Sequence, residues 1–173
     1  MNIDFIKLTE PTAALVNTLN HWGNDMYLKP LTQPNPSKEA LEQKNVLTIE
    51  DIIQKLEYQH TFLIYLENQL IGEMSYTVDP EHLLRKETGT AWISISIGES
   101  EGRGKGIGFI ALEYLEEQVR KHNLQRIELG VFEFNTPALK LYKKLGYQEI
   151  GRIENFTYYD GGMRADIRME KRM

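Results

Sequence analysis

Ten residues, Glu99–Gly108, read ESEGRGKGIG and place four glycines around the basic side chains of Arg103 and Lys105. The alternating run TAWISISIG, residues 90–98, precedes them. Phe109, Leu112, Leu115 and Val119 follow at helical spacing. A strand that enters a glycine turn and then a helix suits anion binding. The first N–H groups of a helix lack internal partners, the helix dipole favours negative charge there, and small residues admit a phosphate to the backbone. A glycine turn with no ligand is the plainer alternative. The P-loop pattern fails, because Gly106 and not Ser or Thr follows Lys105. The dinucleotide fingerprint is incomplete: Gly104 and Gly106 fit, but Phe109 stands where its third glycine belongs.

Other chemistries find less support. The chain has no cysteine, hence no thiolate nucleophile, thiolate metal site or disulfide. His21, His60, His82 and His122 are scattered without metal-ligand spacing, so no metal is expected. Ser94 and Ser96 lie outside any G-x-S-x-G elbow. A net charge of −5 over 173 residues disfavours general nucleic-acid binding; it suits a cationic acceptor, or solubility alone. No run of about 18 apolar residues occurs and the first residues lack a signal-peptide pattern, which points to the cytoplasm and away from a membrane.

The elements that must position these residues follow from periodicity. Ile3–Leu8 reads as a strand and Pro11–Trp22 as a helix. The proline-rich stretch KPLTQPNPSKEALEQKN reads as a long loop. Thr48 with Asp51 starts a second helix through IEDIIQKLEYQ. TFLIYLE and LIGEMSYTVD form a hairpin around Asn68–Gln69. Ile93, Ile95 and Ile97 share one face of the next strand; Trp92, Ser94 and Ser96 share the other. After the glycine turn come a helix to His122–Asn123, the strand RIELGVFEF, a short helix with Thr136 as N-cap and Pro137 first, and two strands around Gln148–Glu154 and Met163–Glu170, joined by YYDGG. The order β-α-α-β-β-β-α-β-α-β-β is a mixed α/β sheet in a single domain over residues 1–173.

Two motifs in this order carry a resemblance. Arg103–Gly108, RGKGIG, resembles the pyrophosphate loop Q/R-x-x-G-x-G/A of the GNAT superfamily of N-acetyltransferases. ELGVFEFNTPALKLYKKLGYQEIGR resembles that superfamily's later segment, where a strand ends in Asn and a helix carries A-x-x-x-Y before K-L-G-Y. The tail FTYYDGGMRADIRMEK is similar to the subgroup of ribosomal-protein N-terminal acetyltransferases and spermidine acetyltransferase. The resemblance covers residues 61–171; residues 1–60 would lie on the acceptor side.

The resemblance implies an acyl-CoA N-acyltransferase fold and transfer of an acetyl group from acetyl-CoA to an amine. It implies that Ile95, Ser96 and Ile97 bind the pantetheine arm. The loop Arg103, Gly104, Lys105, Gly106, Ile107, Gly108 and Phe109 would hold the pyrophosphate. Asn135, Ala138, Leu141, Tyr142 and Lys144 would contact the cofactor from the helix after the next strand, which would splay from Ile93–Ile97. It makes Tyr142 the acid that protonates the leaving thiolate, although packing alone also accounts for a tyrosine there. Where relatives carry a strand glutamate as base, this chain has Ser94 and Ser96. Glu73 is then the first candidate base, followed by Glu99, Glu128 and Glu133, with a water chain as the alternative. That departure also leaves open a non-catalytic acyl-CoA sensor. A polyamine, a ribosomal or other protein N-terminus, an aminoglycoside or another small amino compound are candidate acceptors. Many members of that family are dimers, so a homodimer is an open expectation.

Overall fold

A computed structural model describes all residues, 1–173. Alternation and β-branched content make seven strands: β1 (Ile3–Lys7), β2 (Gln59–Leu66), β3 (Gln69–Val78), β4 (Thr90–Ile97), β5 (Arg126–Phe132), β6 (Gln148–Tyr159) and β7 (Gly162–Arg172). They form one mixed sheet in the order β1-β2-β3-β4-β5-β7-β6. Helices are α1 (Ala13–Asn24), α2 (Lys29–Thr32), α3 (Lys38–Glu42), α4 (Ile49–Lys55), α5 (Ile107–Lys121) and α6 (Thr136–Lys144). The chain divides into two compact units: Met1–Glu10, Gln54–Leu129 and Glu170–Met173 form the first, Pro11–Ile53 and Gly130–Met169 the second.

In the first unit β1 to β4 pair antiparallel in sequence order. The β2–β3 turn uses Glu67 and Asn68, both at positive φ, with Leu66 opposite Gln69. The turn therefore lies one residue earlier than Asn68–Gln69, because the left-handed pair of a two-residue hairpin falls there. Ala111, Leu112, Leu115 and Val119 of α5 are fully buried, as are Ile64 and Ile71 of the strands. This one-sided burial is what holds the helix. Tyr114 packs its ring against Phe5 and Phe62, at 4.6 and 5.7 Å between centroids. At Gly72 a Cβ would stand 2.4 Å from the Ser96 carbonyl oxygen, so β3 approaches β4 too closely for any side chain.

A buried ionic network starts β5. The Arg126 guanidinium donates to Glu128 Oε1 and Glu170 Oε1, each at 2.6 Å, and to Thr90 Oγ1 at 3.3 Å. Arg126 is 1% and Glu128 0% exposed. Glu128 also accepts the backbone N–H groups of Leu84 (2.7 Å) and Arg85 (3.2 Å), which anchors the connection between β3 and β4.

In the second unit the stretch read as a loop contains α2 and α3. One of its prolines and its serine are helix starters here: Pro30 lies in the first turn of α2, and Ser37 Oγ accepts from Ala40 N at 3.1 Å to cap α3. Asn20 and Asn24, one turn apart on α1, each exchange two hydrogen bonds with the main chain of Leu47 and Asn45 at 2.7–2.9 Å. Their amides stand in for the peptide groups of a neighbouring strand. Lys29 Nζ donates to the Gln43 carbonyl of the same segment. Asn35 N donates to Thr157 Oγ1 and Asn35 O accepts from Tyr158 N, both at 2.8 Å, tying the α2–α3 connection to β6. The Thr48–Asp51 capping pair forms as the sequence suggests, with reciprocal bonds of 2.8 and 3.2 Å. Asp160 and Gly161 supply the left-handed pair of the β6–β7 turn.

Substituting Arg126→Met would leave the Glu128 carboxylate buried without its cation. We expect a loss of about 3–5 kcal/mol, read as a lowered thermal midpoint, with Arg126→Met/Glu128→Leu recovering part of it. A single variant that melts like the parent protein would contradict this role.

Candidate active site

β4 is paired with β3 from Ala91 through Ile97, whereas its parallel ladder with β5 covers only Thr90–Trp92. One main-chain edge of Ile95, Ser96 and Ile97 therefore stays outside the ladder. Backbone N–H and C=O groups at such an edge seek partners, and a ligand amide can supply them. The three residues are half-buried.

Beyond β4 the chain turns sharply. Glu99 N donates to Ile71 O at 3.0 Å, and Ser100–Gly102 make a single short helical turn. A Cβ on Gly102 would meet Ile71 Cδ1 at 2.7 Å and Ile97 Cγ2 at 2.9 Å, so this glycine serves close packing. Gly104 and Gly106 serve a different need: both have positive φ, at 72° and 77°, and a Cβ on either would face open space. Gly106 is the N-cap of α5; no side chain caps the helix and no acid lies in its first turn. The N–H groups of Ile107, Gly108 and Phe109 form an uncapped positive end of a 15-residue helix. Ile107 buries its side chain, so only its main chain can serve a ligand. Lys105 is exposed beside this end. Arg103 does not simply add a second cation. Its Nε and Nη2 donate to the carbonyls of Ile97 (3.2 Å) and Gly98 (2.9 Å), which clamps the loop to the end of β4.

The opposite faces of β4 differ as the alternation indicates. Register places Glu73 opposite Ser96 and Ser75 opposite Ser94, so these four side chains share one face. Ser75 Oγ and Ser94 Oγ are 3.2 Å apart, and either can be the donor. Burial pushes the Glu73 carboxyl above its ordinary range, with the charge of Lys55 opposing that shift. The other carboxylates are committed elsewhere or lie at the turn. Glu128 is ion-paired in the core, which removes it as a candidate base. Glu133 Oε2 takes Arg152 Nη2 at 2.9 Å and Ala165 N at 2.8 Å. Glu99 is half-buried where β4 gives way to the glycine turn.

Within the second unit, Asn135 rather than Thr136 is the N-cap of α6, and its side chain makes no capping bond. Thr136 and Pro137 are the first two helical residues. Tyr142 is the buried residue of this helix; Ala138 and Leu141 are half-buried and Lys144 is exposed. The Tyr142 ring meets Tyr147 edge-on at 5.8 Å between centroids. Burial pushes its phenol up to about 12, so it keeps its proton across neutral pH. Glu73, Ser96 and the glycine loop belong to the first unit, and Asn135–Lys144 to the second. The Ser75–Ser94 pair is a feature that motif matching passes over; the period-two patterns of β3 and β4 carried its signal.

The chain is similar to known proteins in sequence and in fold. The profile of the Acetyltransferase (GNAT) family matches residues 19–147. The spermine/spermidine N(1)-acetyltransferase of Bacillus subtilis is 29% identical over 92 residues, covering 53% of this chain and 60% of that protein. The chain thus spans about three-fifths of that relative's length. Among solved structures, the ribosomal-protein-alanine N-acetyltransferase from Brucella melitensis superposes with a TM-score of 0.74 at 21% identity, over 100% of both chains. The spermidine N-acetyltransferase from Vibrio cholerae, solved with CoA and spermine, gives 0.73 at 16% identity over 98% of this chain and 95% of its own. With a family profile spanning most of its length and this fold beneath it, the chain belongs to the acetyltransferase (GNAT) family.

Proposed function

We propose that the protein transfers the acetyl group of acetyl-CoA to a primary amine by direct attack in a ternary complex. The observation that carries this reading is the β4 edge, left unpaired after Trp92 and running directly into the uncapped, acid-free end of α5. Pantetheine amides would complete the strand edge at Ile95, Ser96 and Ile97. The pyrophosphate would take the N–H groups of Gly104 through Phe109, with Lys105 beside it, on a loop clamped by Arg103. Asn135, Ala138, Leu141 and Lys144 would complete the cofactor contacts. This assembly requires no metal. We assign the reaction to the cytoplasm and leave a homodimer as a compatible state.

In the reaction the neutral amine nitrogen attacks the thioester carbonyl carbon. A main-chain N–H of β4 would stabilise the oxyanion that forms. The amine proton passes to Glu73, the C–S bond breaks, and Tyr142 gives its proton to the departing thiolate. A phenol raised to about 12 holds that proton throughout the working range, so it is present to donate a hydrogen bond to the sulfur as negative charge develops there. The named relatives suggest two acceptor types, a polyamine and a protein N-terminus, and the acidic balance of the chain favours a cationic acceptor.

Calorimetry with acetyl-CoA should show binding that Arg103→Ala weakens about tenfold or more, because the carbonyl clamp is lost along with a nearby charge. No heat at millimolar cofactor would reject the reading. Release of CoA thiol should follow addition of spermine, an alanine-ended peptide or an aminoglycoside. Tyr142→Phe should retain cofactor affinity and lose about 10²-fold in kcat. Cofactor binding without thiol release from any amine would make the protein a sensor instead.

The pH profile tests Glu73 separately. The base works ionised, and burial raises its pKa, so the ionised fraction grows as pH rises through a value above the usual carboxylate range. Lys55 opposes that rise, so Lys55→Met should move the acidic limb of kcat/KM to higher pH. An unmoved limb, or full activity in Glu73→Gln, would remove Glu73 as the base.

A further inference from the structure

We propose that Ser75 and Ser94 form the relay through which the proton taken from the acceptor amine leaves Glu73 for solvent. The inference rests on the acetyl-transfer reading above and concerns the same face of the same strands. Ser75 lies two residues along β3 from Glu73, and Ser94 two residues along β4 from Ser96, with the two serines opposite one another. Two residues advance a strand by about 6.6 Å. A glutamate side chain reaching along the strand and one bridging water cover that interval. The hydroxyls are 3.2 Å apart and either can donate, which a relay requires, since each must accept one proton as it releases another.

The line ends at solvent: Glu73 is half-buried, Ser75 is buried at 8% exposed, and Ser94 is exposed. A proton handed along this line moves from the enclosed carboxyl to bulk water. The raised affinity of the Glu73 carboxyl for its proton makes an exit useful, because a base that stays protonated cannot serve the next amine. The step balances without any other reagent. The ammonium gives a proton to the Glu73 carboxylate, and the resulting acid gives one to the bridging water or to the Ser75 hydroxyl. Ser75 passes its own proton to Ser94, and Ser94 passes its own to solvent. Both hydroxyls end neutral, with their O–H bonds turned.

Ser75 and Ser94 act through Glu73 and touch neither cofactor nor amine in this scheme. The experiment follows acetyl-CoA turnover with spermine or an alanine-ended peptide, whichever the parent enzyme acetylates faster. Ser75→Ala and Ser94→Ala should each lower kcat about tenfold, part of the ~10²–10⁴ that positioned proton transfer supplies. The loss should be greatest at low pH, with KM for acetyl-CoA and the thermal midpoint unchanged. Ser75→Thr, which keeps the hydroxyl, should restore the rate, and imidazole buffer should rescue the alanine variants in proportion to its concentration. Because Ser94 is exposed, its variant keeps the test open even if Ser75→Ala disturbs the strand pair. Alanine variants with parental rates and no buffer response, in an enzyme that Glu73→Gln inactivates, would overturn the relay alone. A parent protein that acetylates neither amine would overturn the acetyl-transfer reading and the relay with it.

Discussion

The Arg126–Glu128 ion pair is the constraint on which the first unit depends. One guanidinium meets two carboxylates at 2.6 Å and a threonine hydroxyl, almost wholly out of water. Desolvating these charges is costly, and the arrangement persists because nearly every donor and acceptor is used. Its position explains its value. Thr90↔Arg126 and Trp92↔Glu128 bracket the parallel β4–β5 ladder. The same Glu128 carboxylate takes two N–H groups of the β3–β4 connection, and Glu170 at the far end of β7 also takes Arg85 Nη1 at 2.6 Å. A purely apolar contact would hold these segments without fixing their register. A charged fork sets both direction and register, and so sets where β4 leaves the ladder and its edge becomes available.

The geometry of the glycine loop follows from that departure by local means. Gly102 is demanded by the side chains of Ile71 and Ile97, whereas Gly104 and Gly106 are demanded by backbone conformation. The same residue type thus answers two different physical needs within five positions. Arg103 then fixes the loop from its own side chain, holding the Ile97 and Gly98 carbonyls that a shortened strand would otherwise leave to solvent. Such preorganisation lowers the ordering cost of ligand binding, and it does so wherever the guanidinium charge itself falls.

What the sequence revealed divides along the range of the interactions. The strand–glycine–helix unit, the Thr48–Asp51 cap and the two-faced β4 were legible because their causes lie within a few residues. The α2–α3 stretch read as loop because prolines and polar residues dominate it; Pro30 and Ser37 start helices, Lys29 ties the segment to itself at Gln43, and Asn20 and Asn24 of α1 hold its end. No local pattern announces that two asparagines will imitate a strand. Glu128 was a candidate base on type and position alone, and only the partner two residues before it shows that its charge is already spent. Arg103 likewise read only as a positive charge in the pyrophosphate loop, because its acceptors are main-chain carbonyls, which carry no sequence signature.

The serines of β4 mark where this chain departs from the residue pattern that its own motifs suggest, and the departure has a physical consequence. On this face β4 carries only hydroxyls, exposed at Ser94 and half-buried at Ser96. The carboxylate of this polar face lies instead on β3, at Glu73, where burial holds its proton more tightly. In the proposed reaction this makes Glu73 a stronger base toward the proton of the attacking amine nitrogen, since proton transfer becomes less uphill as the two pKa values approach. It also slows loss of the proton to water, the step that the proposed Ser75–Ser94 relay would serve without introducing a competing charge. A second carboxylate at Ser94 or Ser96 would repel an ionised Glu73 across the strand pair and raise its pKa further. The polar but uncharged character of β4 therefore suits a lone carboxylate at Glu73 in the proposed role of base.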